Sequence, residues 1–452
     1  MLINKMLSMN PKIIVLDDDP TGSQTVHSCL LLTRWDVATL KTALADAAPL
    51  FFVLTNTRGM DAERAAAITR EVCVNLKAAL ADYAGPVLFV SRSDSTLRGH
   101  YPVETDVMNA VLGPFDATLL TPAFFEGGRV TRDSTHYLIV DGQPVPTHET
   151  EFARDSVFGY TTAYLPDYVA EKTGGRVAAS EVARLTLDDL RGGRTAAWLA
   201  AQHGNAVGVV DGETADDYRL FADAVLQSAA AGKRLLFRSA ASLLTALARL
   251  PPQPVADEAF DSLVRDQQPG AVIVGSHVAK TTAQLGVLLK QRGVVGLPLD
   301  VARLPAERAA LVASLTASIA HAHARGLTPV VFTSRAELQF ASTAERLKFG
   351  EAVSGTLMDV VRQLPPTLGF LISKGGITSN DVLSTGLALT ASRVLGQILP
   401  GVTVVQTPAD HRLPQMPVVI FPGNVGGDDA LAEAYRRLAP SHAAASPAKL
   451  AA

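Results

Sequence analysis

Carboxylates and arginines follow three apolar segments in the first half of the chain. The first segment ends in Asp17-Asp18-Asp19, the second leads to a loop with Arg58, and the third leads to the run Arg92 to Ser95. Arginine can grip a carboxylate in a two-pronged fork, which lysine cannot do. Aspartate and serine oxygens suit hydroxyl groups. These residue types together predict a site for a small polyhydroxy acid.

Glycine-bearing turns follow three apolar segments in the second half of the chain. They are Gly275-Ser276, Lys374-Gly375-Gly376-Ile377-Thr378 and Gly423-Asn424-Val425-Gly426-Gly427. Glycine lets backbone approach a ligand closely, and N–H groups at the start of a helix attract phosphate. One such turn is a weak signal, but three within one α/β region predict a nucleotide held largely by backbone groups.

Two common nucleotide motifs are absent from the sequence. The stretch that ends in Ala279-Lys280-Thr281 resembles a P-loop, but the motif requires glycine directly before the lysine and one more loop residue. No G-x-G-x-x-G sequence occurs, so a Rossmann dinucleotide site has no support. The phosphates are therefore expected to be held by backbone N–H groups of the glycine turns, to which Lys374 could add charge.

Short apolar runs that alternate with helical patterns must position these loops. The predicted strands are 12–16, 28–32, 50–54, 86–90, 116–120, 206–210, 234–238, 271–274, 329–332, 368–372 and 418–421. This alternation predicts largely parallel sheets, whose ligand loops share the carboxyl edge of the strands.

The length of 452 residues allows two or three domains. The proline-rich polar stretch at 251–269 is predicted to be a linker between a first domain, 1–250, and a second domain, 270–440. A segment at about 129–175 reads as an arm with a β-hairpin that turns at Asp141-Gly142. The tail at 441–452 is expected to be flexible.

Composition narrows the class of protein. With 40 basic and 44 acidic residues the net charge is −4, which predicts binding to neither nucleic acid nor an anionic membrane. No apolar segment approaches the roughly 20 residues of a bilayer span, and the start lacks a signal-peptide pattern. A cytoplasmic location is expected. Cys29 and Cys73 are expected to be buried hydrophobic residues.

The assembled motifs resemble the four-carbon acid sugar kinases, the family of threonate, erythronate and 3-oxo-tetronate kinases. The resemblance covers nearly the whole chain. It is carried by Asp18-Asp19-Pro20-Thr21-Gly22, Ser93-Asp94-Ser95-Thr96-Leu97-Arg98-Gly99, Pro122-Ala123-Phe124 with Gly128-Arg129, Gly275-Ser276, Ser373 to Ser379, and Pro422 to Gly427.

The strand and helix alternation predicts two α/β/α domains with largely parallel sheets and a ligand cleft between them. The β-rich arm inserted in the first domain is longer and more β-rich than the resemblance would lead one to expect. The resemblance implies an ATP-dependent phosphotransferase that acts on the terminal hydroxyl and gives a 4-phosphate. Mg²⁺ is expected as a second cofactor that bridges phosphate oxygens and keeps most of its shell as water and substrate oxygens. The first domain would take the sugar acid and the second the nucleotide.

Particular residues are expected in these roles. The sugar acid is predicted to contact Asp18, Asp19, Arg58, Arg92, Ser93, Asp94, Ser95 and Arg129, with Asp19 or Asp94 accepting or orienting the hydroxyl proton. The nucleotide is predicted to contact Ser276, Lys374, Gly375, Gly376, Ile377, Thr378, Gly423, Asn424 and Gly426.

Several alternatives stay open at this point. Arg98 could instead form a surface ion pair with Glu104 or Asp106, and Lys374 could be a solvent-facing lysine. The protein could be a kinase for another small polyhydroxy acid, or a non-catalytic binding protein that senses a sugar acid through nucleotide-gated closure. A homodimer is also compatible with the sequence.

Overall fold

The structure is a computed structural model that describes residues 10–334 and 342–439. The predicted flexible tail at 441–452 lies outside the described residues. The chain forms two compact units, Met1–Pro251 and Pro252–Ala452. Each unit contains one mainly parallel sheet with helices, so the predicted α/β class is confirmed.

The first unit contains an eight-stranded sheet and a smaller three-stranded one. Its strands are β1 Lys12–Asp17, β2 Leu30–Leu32, β3 Leu50–Leu54, β4 Val87–Arg92, β5 Ala117–Thr121, β6 Arg129–Arg132, β7 Thr135–Val140, β8 Gln143–Pro146, β9 Ala183–Leu185, β10 Ala206–Val210 and β11 Leu235–Ser239. The large sheet has the order β2-β3-β1-β4-β11-β5-β10-β9 and is parallel throughout. Its central strands are apolar runs buried along their length, as expected for a parallel sheet covered on both faces.

Helices connect these strands. They are α1 Val37–Ala45, α2 Ala62–Ala79, α3 Val103–Leu112, α4 Leu165–Lys172, α5 Leu187–Arg191, α6 Thr195–Ala200, α7 Ala215–Ala230 and α8 Ala241–Ala248. The side chains of Asp36, Asp61 and Thr214 accept hydrogen bonds from backbone N–H groups in the first turns of α1, α2 and α7. Such caps satisfy donors that a helix start would leave unpaired and so fix where each helix begins.

The arm, residues 129–175, contains the predicted hairpin. Strands β6, β7 and β8 form an antiparallel sheet, and β7 and β8 turn at Asp141-Gly142. Both turn residues have positive φ, as a two-residue hairpin turn requires. The arm continues through short 3₁₀ turns into α4.

The second unit has a seven-stranded sheet. Its strands are β12 Ala271–Val274, β13 Val294–Leu299, β14 Thr328–Thr333, β15 Leu371–Lys374, β16 Ala391–Leu399, β17 Val402–Gln406 and β18 Pro417–Phe421. The order is β13-β14-β12-β15-β18-β17-β16, with β17 antiparallel to both neighbours. Strands β13, β16 and β17 were not predicted from the sequence. Strand β13 carries Gly296 and Pro298, which are typical of an edge strand, and β16 alternates buried and partly exposed residues.

The helices of the second unit are α9 Ala279–Leu288, α10 Arg308–Ala324, α11 Thr343–Arg362, α12 Gly376–Asp381 and α13 Ala430–Leu438. Residues 252–269 belong to this unit, and within them Phe260 and Val264 are buried in its core. None of the helices in the described ranges is long and apolar enough to cross a membrane.

Candidate active site

The polar loops of the first unit meet at one edge of its sheet. Strands β3, β1 and β4 are neighbours in register, and their carboxyl ends lead to Arg58, to Asp17–Asp19 and to Arg92. The backbone N–H of Asp18 donates to the carbonyl of Arg92, and that of Arg58 donates to the carbonyl of Asp18. The structure thus brings together side chains that lie far apart in the sequence.

Arg58 is the centre of this cluster. Its guanidinium donates from Nε to Asp18 Oδ2 at 3.1 Å and from Nη2 to Asp18 Oδ1, a bidentate pair. Its Nη1 lies 3.6 Å from Asp19 Oδ2 and 4.0 Å from Asp94 Oδ1. One guanidinium therefore compensates three carboxylates, of which Asp18 is fully buried.

Arg92 pairs with the innermost acid. Its Nη1 lies 3.4 Å from Asp17 Oδ1 and 3.9 Å from Asp18 Oδ1. Asp17 is completely buried, and its Oδ2 has no hydrogen-bond partner among the described residues. Burial outweighs the attraction of Arg92 and raises the pKa of Asp17 to about 8. A Cβ at Gly22 would lie 1.9 Å from Asp17 Oδ2, so only glycine fits over this carboxyl.

Asp94 has the opposite electrostatics. Burial would raise its pKa, but Arg58, Arg98 and the hydroxyl of Thr96 together lower it well below the usual range. Arg98 Nε donates to Asp94 Oδ2 at 2.8 Å, and Arg98 Nη1 lies 3.6 Å from Asp155 of the arm. The alternative of an ion pair between Arg98 and Glu104 or Asp106 is therefore wrong.

The other predicted catalytic carboxylate, Asp19, is partly exposed. Burial favours its neutral form, but Arg58 and hydrogen bonds from Thr21 outweigh burial and lower its pKa. Both predicted catalytic aspartates are thus ionised at neutral pH. Glu104, which the sequence did not single out, is buried and accepts a hydrogen bond from Thr57 Oγ1 at 2.5 Å. Burial and then Asp18 raise the pKa of Glu104 to about 7.

Buried side chains hold every carbonyl of the loop from Asp94 to Arg98. Arg238 of β11 donates to the backbone carbonyls of Asp94 at 3.0 Å and Arg98 at 2.9 Å. Three side chains of the arm donate to the carbonyls between these two: His136 to that of Ser95 (2.7 Å), Tyr160 to that of Thr96 (2.8 Å) and Tyr168 to that of Leu97 (2.7 Å). Ser93 Oγ donates to Asp18 Oδ2 at 2.7 Å and also lies 3.1 Å from the carbonyl of Arg98. The arm therefore fixes the loop that carries the predicted acid-binding residues.

Arg129 lies where the arm begins, just after β5. Its Nη1 donates to the carbonyl of Gly127, and its guanidinium lies 5.9 Å from the centre of the Phe124 ring. Burial lowers the pKa of Arg129, while Asp94 raises it. Arg129 and Asp94 thus attract each other electrostatically, although their side chains form no ion pair in the described part of the chain.

The three glycine turns of the second unit also converge. A Cβ at Gly275 would lie 2.3 Å from Thr378 Oγ1, and one at Gly375 would lie 3.0 Å from Ser276 Cβ. Gly375 has φ +114°, a conformation that favours glycine. Thr281 Oγ1 lies 3.1 Å from Ser276 Oγ and donates to the carbonyl of Gly423 at 3.2 Å. These close backbone approaches form the kind of cradle that phosphate and ribose need.

Lys374 is the charged side chain at the centre of this cradle. It is fully buried, its Nζ donates to the carbonyls of Pro422 and Gly423, and it lies 4.2 Å from the centre of the Phe421 ring. The alternative of a solvent-facing lysine is therefore wrong. Burial, followed by the charge of Lys280, lowers the pKa of Lys374 to about 7.

The third turn is held by side chains from α9. Lys280 Nζ donates to the carbonyl of Gly426 at 3.3 Å, and Gln284 Nε2 donates to Val425 and Gly427 at 2.9 and 2.8 Å. Asn424 is exposed in this turn. Ile377, predicted to contact the nucleotide, is 69% exposed at the start of α12.

Sequence reasoning missed the side chains that support these loops. A signal existed for Arg238, because a charged residue inside the apolar run Leu235–Ser239 needs buried partners. No comparable signal marks His136, Tyr160 or Tyr168, because their partners are backbone carbonyls about 40 to 70 residues away.

Comparisons with known proteins agree with this layout. A family model described as a sugar-binding N-terminal domain matches residues 13–247, and one described as a nucleotide-binding C-terminal domain matches residues 271–431. The chain is 30% identical to a D-erythronate kinase of Heliobacterium modesticaldum over 169 aligned residues, and this alignment covers 36% of each chain. It is 32% identical to a D-threonate kinase of Bordetella bronchiseptica over 164 aligned residues, which cover 34% of this chain and 38% of the relative. Both alignments thus span little more than a third of the curated relatives.

A solved structure from Salmonella typhimurium LT2 has the same fold, with a TM-score of 0.69 at 19% identity over 94% of this chain and 98% of that chain. The two domain models cover most of the sequence in the predicted order, and both curated relatives are kinases of four-carbon sugar acids. The chain belongs to the four-carbon acid sugar kinase family.

Proposed function

We propose that this protein is an ATP-dependent kinase that phosphorylates the terminal (4-) hydroxyl of a four-carbon sugar acid such as threonate or erythronate. One observation carries the proposal. A single chain contains a cluster of paired carboxylates and arginines in the unit that matches the sugar-binding model, and converging glycine turns in the unit that matches the nucleotide-binding model.

The acceptor side suits a polyhydroxy acid. Asp19 and Asp94 are ionised, so their oxygens accept hydrogen bonds from hydroxyl groups. The low pKa of Asp94 makes it a weak proton acceptor, and its role is to orient the reacting hydroxyl. Phosphoryl transfer needs positioning and charge neutralisation more than it needs a strong base. Ser95 and Asp19 complete the polar surface, and the buried pair of Ser93 and Asp18 supports it from beneath.

The donor side suits the phosphates and ribose of ATP. Backbone N–H groups of Gly376 to Thr378 and of the turn at Gly423 to Gly426 would hold phosphate, with the hydroxyl of Ser276 beside them. The N–H of Gly375 donates to the carbonyl of Phe421, so Gly375 contributes the turn's conformation. Lys374 is desolvated, so an approaching phosphate would raise its pKa and make it a cation at the site.

The residues present are compatible with Mg²⁺ carried by the nucleotide. The described residues include no group of three or more His, Cys, Asp or Glu side chains that could hold a metal ion. Mg²⁺ commonly keeps several waters and binds through substrate phosphates, where it neutralises their charge. The chain itself would then supply the backbone cradle, not the metal ligands.

A coupled ADP-release assay tests the proposal. Purified protein is incubated with ATP, Mg²⁺ and a panel of the D and L forms of threonate and erythronate, with five-carbon aldonates as the competing class. We expect acid-dependent ADP release with at least one four-carbon acid and a phosphate monoester at C4 by NMR. Turnover of five-carbon acids only would support a kinase for another polyhydroxy acid. Binding of acid and nucleotide without ADP release would support a nucleotide-gated binding protein.

A further inference from the structure

Three arginines of the acid cluster already have carboxylate partners within the chain. Arg58 pairs with Asp18, Arg92 with Asp17, and Arg98 with Asp94. Two of these aspartates, Asp17 and Asp18, are fully buried. If Arg58 turned to a substrate carboxylate, the buried Asp18 would lose its bidentate partner, which is strongly unfavourable. Arg92 is itself buried, with 4% of its surface exposed.

A fourth arginine, Arg238, serves the backbone. It is about 1% exposed, and it donates to the carbonyls of Asp94 and Arg98. Its position inside β11 and these two hydrogen bonds fix it beneath the loop. Arg238 therefore supports the backbone of the loop from Asp94 to Arg98.

Arg129 differs from all four. Its guanidinium has a single protein acceptor in the described ranges, the carbonyl of Gly127, while its Nε lacks a hydrogen-bond partner there just as those of Arg92 and Arg238 do. The residue is only partly buried. Its strand β6 reaches the predicted acid-binding loop two residues further on, where Thr131 Oγ1 lies 2.9 Å from His136 Nδ1 and His136 donates to the carbonyl of Ser95. Arg129 is thus a cation of this cluster that forms no close ion pair with a carboxylate of the described residues.

The backbone around Arg129 is built to hold that side chain. Phe124 and Arg129 exchange two backbone hydrogen bonds, of 2.9 and 2.8 Å, which close a tight loop. A Cβ at Gly127 would lie 2.4 Å from Arg129 Nη1, so glycine leaves the room that the guanidinium occupies. The Phe124 ring beside the guanidinium further limits its positions.

We infer that Arg129 is the residue that binds the carboxylate of the acceptor and so selects acids over neutral polyols. The inference rests on the proposed function and refines it. The sequence assigned the contact with the substrate carboxylate to Arg58 and Arg92. We assign it to Arg129, which can bind a carboxylate without breaking an ion pair with an aspartate of the protein. Arg58 and Arg92 instead stay paired with Asp18 and Asp17 beneath the hydroxyl-binding surface.

Direct binding tests this inference without relying on turnover. The acids and the neutral polyols threitol and erythritol are titrated by calorimetry into wild type, Arg129→Gln, Arg129→Lys and the control Arg132→Gln. Arg132 lies on the same strand but pairs with Glu213 at the surface. We expect Arg129→Gln to weaken binding of the acid roughly 10- to 100-fold, the range for a lost charged hydrogen bond. Arg129→Lys should recover part of this loss. Arg132→Gln should change the affinity for the acid by less than twofold.

A second variant, Gly127→Ala, brings a Cβ to 2.4 Å from Arg129 Nη1 and 2.5 Å from the Phe124 ring, so it displaces both groups without removing the charge. We expect a loss of acid affinity in the same direction. Unchanged acid affinity in a folded Arg129→Gln protein would overturn the inference, as would an equal loss for acid and polyol. Failure of the wild type to release ADP while Arg129→Gln still loses acid affinity would contradict the proposed kinase but support the carboxylate contact.

Discussion

The two predicted ligand sites of this protein consist of different chemical groups. In the first unit, charged side chains from three strand ends neutralise one another, with Arg58 alone facing three aspartates. In the second unit, glycine turns approach one another closely and a single buried lysine, Lys374, bonds to their carbonyls.

This difference fits the polar groups that the two proposed ligands present. A triphosphate presents many equivalent oxygens, which backbone N–H groups can hold without regard to side-chain identity. A small sugar acid offers one carboxylate and a few hydroxyls, which must be distinguished by fixed charges and hydrogen bonds. The acceptor site should therefore be sensitive to charge and pH, and the donor site to backbone conformation.

The largest expected effect is on the charge cluster. Arg58→Met leaves Asp18, Asp19 and Asp94 without their shared cation, and we expect the free energy of unfolding in urea to fall by about 3–5 kcal/mol. Arg64→Met, at an exposed position on α2, is the matched control and should change it by less than about 0.5 kcal/mol. A loss below about 1 kcal/mol for Arg58→Met would show that the aspartates do not depend on this pairing.

A smaller effect should follow from pH at His136. Burial lowers the pKa of His136 to about 4, against an ordinary value of about 6.5. The neutral ring suffices for its contacts, since Nε2–H donates to the carbonyl of Ser95 and Nδ1 can accept from the hydroxyl of Thr131. Below pH 6.5 the unfolded chain takes up a proton that the folded chain excludes, so this stabilisation is lost as pH falls towards 4.

We therefore expect the stability advantage of wild type over His136→Gln to shrink by up to about 3 kcal/mol between pH 7 and pH 4. The comparison between the two proteins cancels the other groups that titrate in this range, including Glu104 and Asp17. Urea unfolding at several pH values measures it. A constant difference across the range would mean that His136 is not excluded from protonation in the folded state.

The donor site should respond to backbone conformation. Gly375→Ala forces an L-residue into a backbone with φ +114° and brings Cβ to 3.0 Å from Ser276, a strain of about 1–3 kcal/mol. We expect affinity for a fluorescent ATP analogue to fall roughly 10- to 100-fold while acid affinity stays the same. Gly286→Ala is the control, because an added Cβ in α9 meets no atom within 4 Å. Equal nucleotide affinity in both variants would remove Gly375 from the proposed cradle.

The sequence was informative where one physical constraint dominates. Apolar runs such as Lys12–Asp17 and Leu50–Leu54 must be buried on both faces, and this predicts parallel strands and places the loops at their ends. Strand β16 escaped prediction because its polar alternation resembles surface structure until β17 pairs with it.

The pairing of charges could not be predicted in the same way. Which aspartate faces Arg58, and which arginine lacks a partner, depend on strand order and on contacts made by the distant arm. The burial of Lys374 likewise depends on where the turn at Pro422 lies. Residue types at strand ends thus predict candidate ligands, while their protonation and pairing require the folded chain.

The most direct test of this division is an initial-rate matrix in which acid and ATP are varied together for wild type, Arg129→Gln and Gly375→Ala. We expect Arg129→Gln to raise KM for the acid and to leave KM for ATP within about twofold, while Gly375→Ala should do the reverse. A variant that raises both KM values to the same extent would contradict the assignment of acceptor to the first unit and donor to the second.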